Sequence, residues 1–219
     1  IKELTKDLKP YNMREHTGFL RNVMIRVGTN TNEVMVNFVT SREDQKALNP
    51  IVESLIEKFP PITSIVNNIT TRKSGVSMGE HQALLHGNEY MLEKLGEYQF
   101  MISADSFFQT NTVQAEKLYE IVLEESKLTG KEIVYDLFSG TGSISLYISK
   151  YAKMVYGFEL IMPAVQDAIQ NAAHNKVKNA WFFAGNLANL FQENPEAKDL
   201  ELPDVIIVDP PRAGLHQKT

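Results

Sequence analysis

Val134-Tyr135-Asp136-Leu137-Phe138-Ser139-Gly140-Thr141-Gly142-Ser143 reads as an apolar strand that runs into a glycine-rich turn and opens a helix. Such a turn lets backbone N–H groups approach a ligand at the carboxyl end of a sheet, where doubly wound α/β folds bind their ligands. The flanking sequence repeats the same rhythm. Residues 142–151 have helical spacing, 154–158 form an apolar strand, and 163–175 form a helix with Pro163 near its first turn. Two more strands, 179–183 and 204–208, enclose a polar helical stretch at 187–193. Alternating strands and helices predict a parallel, doubly wound sheet. Just upstream, Asn111 followed by Gln114 resembles a capping box. It opens a helix with Val113, Leu118, Tyr119, Val122 and Leu123 on one face, ending near Gly130.

The first half has a mixed α+β pattern. Residues 19–27 and 33–40 are rich in Val, Ile, Met and Phe and are joined by Gly28-Thr29-Asn30-Thr31-Asn32, a hairpin signal. Ser41-Arg42-Glu43 is suited to cap a helix carrying Leu48, Val52, Leu55, Ile56 and Phe59, which Pro60-Pro61 stops. A strand at 62–70 and further short strands as far as Ile102 follow. The expected organisation is a small α+β domain over 1–104, a candidate for nucleic-acid contact, and the α/β sheet over 105–219.

The chain has 219 residues, 43% of them hydrophobic and 22% charged, with 9 Pro and 12 Gly, which excludes disordered, collagen-like and membrane classes. No apolar run approaches the roughly 20 residues of a membrane helix. The amino terminus is charged from Lys2 onward and shows no apolar signal segment, so the cytoplasm is the expected compartment. Cysteine is absent, which removes disulfides, zinc ribbons, iron-sulfur ligation and a cysteine nucleophile from these residues. The five His show no metal-ligand spacing. Acidic and basic side chains balance over residues 1–100, so the net charge of −5 lies entirely in the second half. Any nucleic-acid contact must therefore be local. Lys9, Arg14, His16, Arg21 and Arg26, opposed there by Glu15, form one such basic stretch, equally readable as a solvated strand face.

Three segments carry the chemistry. The turn has Gly140 and Gly142, but Ser145 stands where a dinucleotide fingerprint has its third glycine, which counts against NAD. Asp136, at the end of the strand, suits a ligand with a cationic or hydrogen-bond-donating end. Glu159 follows the turn at about the 20-residue interval expected of an acid that accepts both hydroxyls of a ribose. Taken alone, it is equally an acid placed at a helix amino terminus. Asp209-Pro210-Pro211-Arg212 follows the last strand, where two prolines fix a rigid loop that holds the Asp209 carboxylate at the sheet edge.

In order and on successive strands, these segments resemble a class I S-adenosyl-L-methionine-dependent methyltransferase. Ser106-Phe107-Phe108-Gln109-Thr110-Asn111 and Asp209-Pro210-Pro211-Arg212-Ala213-Gly214-Leu215 are similar to signatures of the RNA uracil-5 methyltransferases, the RumA and TrmA group that makes 5-methyluridine in ribosomal or transfer RNA. Gly18-Phe19-Leu20-Arg21-Asn22-Val23 and Glu33-Val34-Met35-Val36-Asn37-Phe38-Val39-Thr40 resemble that family's small central domain, so the likeness covers nearly the whole chain.

The resemblance implies a Rossmann-like sheet, here incomplete, with S-adenosyl-L-methionine as cofactor and RNA as substrate, ribosomal RNA ahead of transfer RNA. A monomer is expected, with no membrane partner and no metal within these residues, although some members of the family carry an iron-sulfur site upstream. Carried over by position, Gln109 reaches the amino-acid end of the methyl donor, and Phe138 and Gly140 form the turn wall. Glu159 meets the ribose and Asn186 the adenine side, and Asp209 sits near both donor and target base. Ser143 occupies a turn position where some members have Asn. Phe107 packs on the flipped uracil and Arg212 meets RNA phosphate, although Phe107 and Phe108 are also readable as core aromatics. The family's chemistry adds a cysteine thiolate to uracil C6 so that C5 attacks the methyl group. That cysteine is expected beyond the fourth strand, and a polypeptide ending at Thr219 is expected not to methylate uracil. The competing readings are an amino-group methyltransferase acting on adenine, cytosine or glutamine, an RNA-binding module with a decayed donor site, and, weakest, an NAD oxidoreductase.

Overall fold

The computed structural model describes residues 2–73, 79–212 and 214–215. The expectations attached to Ala213 and Thr219 lie outside the described residues. The chain divides into two compact units. One comprises residues 1–93 and 103–105, the other 94–102 and 106–219.

In the first unit, β1 (Leu20–Val27) and β2 (Val34–Thr40) form an antiparallel hairpin. Its turn is fastened by the Glu93 carboxylate, which accepts from Thr29 N–H at 2.6 Å and Asn30 N–H at 3.0 Å. The helix α1 (Gln45–Lys58) then crosses over to β3 (Ile62–Ile69), parallel to β2, and β4 (His81–Gly87) pairs antiparallel beyond it. The sheet order is β1-β2-β3-β4. Leu48, Ile51, Val52 and Leu55 of α1 share a core with Phe19, Val36, Phe38, Ile62 and Ile65. The helix starts later than the capping signal at Ser41 suggests. Ser41 Oγ donates to Gly18 O at 2.7 Å, and Asp44 is the cap, accepting from Ala47 N–H at 3.2 Å.

The hairpin of β5 (Tyr90–Leu95) and β6 (Tyr98–Ser103) leads from one unit into the other. In the second unit Asn111 caps α2 (Thr112–Ser126) by accepting from Gln114 N–H at 3.1 Å. That helix stops at Lys127, which turns left-handed at φ 51°, rather than reaching Gly130. Then β7 (Ile133–Leu137), α3 (Ser143–Ser149), β8 (Met154–Glu159), α4 (Met162–His174), β9 (Ala180–Ala184), the one-turn helices α5 (Leu190–Glu193) and α6 (Pro195–Lys198), and β10 (Val205–Val208) alternate.

All four strands of this sheet are parallel, in the order β10-β7-β8-β9. The chain therefore winds outward through β8 and β9 and returns to the other side of β7. The two directions of winding cover opposite faces. Leu190 and Ala197 from α5 and α6 pack with Ile133, Tyr135, Phe158 and Phe183, where the Phe158 and Phe183 rings stack 5.7 Å apart. The doubly wound α/β class is thus present, with its switch of strand order between β7 and β10. Among the described residues no helix is long and apolar enough to cross a membrane.

Candidate functional site

The switch point predicts where a ligand sits, because the loops after β7 and β10 diverge there and leave a crevice at the carboxyl edge. Val208, Leu137, Phe158 and Phe183 stand in one row across the sheet. The next row brings Asp209, Phe138 and Glu159 to that edge. Phe138 leaves the strand at φ 68°, and Gly140 and Gly142 follow at 54° and 78°, so the chain folds back sharply. Phe138 N–H and Ser139 N–H both donate to Phe158 O, at 2.9 and 3.0 Å. The helix α3 begins at Ser143 with no side-chain cap on its first N–H groups. A Cβ on Gly140 would meet nothing within 4 Å, so this side of the turn is open. Glu159 lies against it: Oε2 accepts from Gly140 N–H at 3.1 Å and Oε1 from Ile161 N–H at 2.9 Å.

Beneath the turn, Asp136 is fully buried. Ser145 Oγ donates to its Oδ2, while Oδ1 and the nearby buried Ser139 Oγ have no partner among the described residues. Burial pushes the Asp136 carboxyl up to about 7, against the Ser145 hydroxyl and N–H, with the charges of Asp209 and Glu159 adding to the rise. Three carboxyl groups thus surround an open glycine turn. This field opposes the pyrophosphate of a dinucleotide and favours a cationic ligand. Above α3, Tyr119 and Ser143 share a hydrogen bond of 2.7 Å. Burial pushes the Tyr119 phenol up to about 12, so it stays neutral at ordinary pH. No group of three or more His, Cys, Asp or Glu is arranged for a metal among the described residues.

The remaining residues singled out from sequence lie around this centre. Asn186, two residues past β9, is exposed, and its Oδ1 accepts from Ala188 N–H at 3.0 Å. The adjacent Gly185 N–H donates to Glu159 O at 2.9 Å, which ties that loop to the end of β8. A concavity of about 260 Å³ opens beside Asn186, lined by Ala184, Gly185, Leu190 and Asn194 among others, and it includes neither Glu159 nor the glycine turn. Asp209 and Arg212 are exposed. Gln109 is half-buried on the segment before α2, and no hydrogen bond among the described residues joins it to the turn. Phe107 is 69% exposed, whereas Phe108 is 9% exposed and packs on Phe100 at 5.5 Å between centroids.

A family model described as tRNA (Uracil-5-)-methyltransferase matches residues 28–219. The chain belongs to that family. A protein of Chlorobaculum tepidum named as an uncharacterized RNA methyltransferase is 40% identical over 216 residues, covering 98% of this chain and 45% of its own length. One of Enterococcus faecalis with the same description is 41% identical over 208 residues, 95% of this chain and 45% of its own. Among solved structures, the tRNA (uracil-54, C5)-methyltransferase of Pyrococcus abyssi in complex with S-adenosyl-L-homocysteine superposes with a TM-score of 0.77 at 32% identity, covering 99% of this chain and 50% of that one. The chain thus spans about half the length of the relatives it matches.

For this member of the family, sequence reasoning missed part of the site's support. Ser145 marked a departure from the dinucleotide fingerprint; in the structure its hydroxyl holds the buried Asp136. Tyr119 was legible only as part of an apolar helix face, because a phenol that reaches a turn residue 24 positions away leaves no periodic signal. The basic stretch also divides. Arg21 lies 4.3 Å over the Tyr11 ring and donates to Thr70 O and Arg72 O at 3.1 and 2.7 Å. Arg26 instead donates to Ala104 O at 3.3 Å.

Proposed function

We propose that this chain is the donor-binding part of an RNA (uracil-5-)-methyltransferase, and that the glycine turn after β7 with Glu159 holds S-adenosyl-L-methionine. The observation that carries this reading is the open Gly140 turn with a carboxylate fixed across it, above a buried carboxyl that has an unpartnered oxygen. The residues fit the group in shape and charge. Glu159 keeps lone pairs for a vicinal diol, and the bare Gly140 backbone admits the amino-acid end. Asp136 and Asp209 favour a ligand bearing ammonium and sulfonium charge. When bound, the cofactor supplies an electrophilic methyl group. Phe138 closes the turn wall, Asn186 borders the adenine side, Gln109 turns toward the amino-acid end, and Ser143 at the start of α3 completes the turn. Asp209 stands between the donor and the incoming base.

The proposed product is 5-methyluridine in RNA. Phe107 offers an exposed aromatic face for the extruded uracil and Arg212 a phosphate contact. The nucleophile for uracil C6 is proposed to be a cysteine outside these residues, which hold none. A polypeptide limited to residues 1–219 is accordingly inactive on uracil, and detectable 5-methyluridine from it would overturn that part. Ribosomal RNA was the expected substrate, but both the family description and the Pyrococcus enzyme speak of transfer RNA, so both RNAs belong in the assay.

In the first unit, Arg21 lies over the Tyr11 ring, which meets His16, and donates to Arg72 O, so the segment that carries Arg14 and His16 is linked to the one that carries Arg72, whose guanidinium pairs with Glu80. We propose this surface for the RNA backbone. Arg14→Ala is expected to weaken RNA binding and lower its salt dependence by about one phosphate contact.

The donor reading is tested by calorimetric titration of S-adenosyl-L-homocysteine into the protein, beside Glu159→Ala and NAD. The expected result is binding to the protein, a loss of at least about tenfold in the variant, and none for NAD. Equal binding of the variant would overturn it.

A further inference from the structure

Asn171 is fully buried in the last turn of α4, and both ends of its amide are used. Its Oδ1 accepts from Met101 N–H on β6 at 2.7 Å, and its Nδ2 donates at 3.2 Å to the carbonyl of Thr141, between the two glycines of the turn. Residues one turn away on either side face the same segment. Ser106 Oγ donates to Asp167, while Asn175 accepts from Gln99 N–H at 2.9 Å and donates to Gln99 O at 2.7 Å. The spacing 167, 171, 175 places these groups on one helix face. All three side chains therefore fasten residues 99–106 to α4, and Asn171 also reaches the glycine turn.

We propose that Asn171 is a positioning residue for the donor site, coupling the Gly140–Gly142 turn to the strand that leads into Phe107 and Gln109. The physical basis is the conformational freedom of that turn. Phe138, Gly140 and Gly142 all have positive φ, so the loop needs external restraint to hold one arrangement. A buried carbonyl that loses its donor is driven to find another partner, and the turn must move to provide one. Nothing comparable follows from releasing Gln99, whose bonds go to Asn175 and His174 and not to the residue that holds the turn. Asn175, the C-cap of α4, is thus a built-in control: it bonds the same strand and, beyond a 2.8 Å bond from its Nδ2 to Asn171 O, shows none toward the turn among the described residues.

The inference rests on the donor-site reading, so the test has one arm that needs no ligand. In the unaltered protein, native-state hydrogen exchange is expected to show the amide of Met101 and the amide of Gly142, which donates to Ser139 O at 2.8 Å, opening together with the same denaturant dependence. In Asn171→Leu, of similar volume, the Gly142 amide loses protection by about tenfold or more and S-adenosyl-L-homocysteine affinity falls by a similar factor, whereas Asn175→Leu changes neither. Separate opening of the two amides in the unaltered protein would overturn the coupling even where the variant fails to fold. So would equal effects of the two substitutions on the Gly142 amide. Absence of ligand binding to the unaltered protein would instead count against the donor reading and leave the exchange result to decide the coupling.

Discussion

Removing the Ser145 hydroxyl isolates what it does for Asp136. The Asp136 carboxyl has an ordinary value of 3.8 and is pushed up to about 7 in the fold. Across roughly pH 4 to 7 the folded chain therefore keeps a proton that the unfolded chain has released, and stability falls as pH rises through that window. Ser145 opposes the rise by donating to the charged form. In Ser145→Ala the carboxyl moves higher still, so the decline continues above pH 7. The hydroxyl bonds an ionised group at high pH and a neutral one at low pH. Its loss is thus expected to cost about 2 kcal/mol near pH 8.5 and about 1 kcal/mol near pH 5.5. Urea denaturation of both proteins at the two pH values measures the difference. An equal loss at both would refute the assignment, because it would mean that the hydroxyl does not distinguish the two states of Asp136 in this range.

Four further outcomes concern the turn and the tyrosine bonded to it. Gly140→Ala introduces a methyl group that meets nothing within 4 Å at φ 54°, so it should cost about 1 kcal/mol of stability while weakening donor binding disproportionately. Gly142→Ala places its methyl 2.8 Å from the Phe182 ring and 3.1 Å from the Ala168 methyl, so thermal unfolding should show a loss of about 2 kcal/mol or more on top of the strain. Tyr119→Phe removes the bond to Ser143 at a cost of about 1 kcal/mol. In the unaltered protein, the Tyr119 phenolate band should be absent until about pH 12, and its appearance near pH 10 would contradict the buried placement.

The parallel sheet was legible because its strands are short apolar runs separated by helical spacing, from Ile133 to Val208. The glycine turn was legible because Gly140 and Gly142 suit the positive φ that its backbone adopts, whereas Phe138 at φ 68° gave no such signal. Boundaries were less so. Ser41 has the chemistry of a cap but is engaged with Gly18, and the cap passes to Asp44. The polar stretch at 187–193 gives the one-turn helix α5, and a second turn follows beyond it because Asn194 caps a new one at Pro195. What periodicity cannot reveal is pairing across long separations, as between Asn171 and Thr141 or between Tyr119 and Ser143. Those side chains look like ordinary helix residues until the turn is brought against them.

The central claim is that the Gly140 turn and Glu159 hold the methyl donor. A crystal structure of the protein with S-adenosyl-L-homocysteine tests it most directly. The account predicts the ribose hydroxyls on the Glu159 carboxylate and the amino-acid end over the bare backbone of Gly140. Ligand density confined to the concavity lined by Gly185, Leu190 and Asn194, with the turn empty, would contradict it.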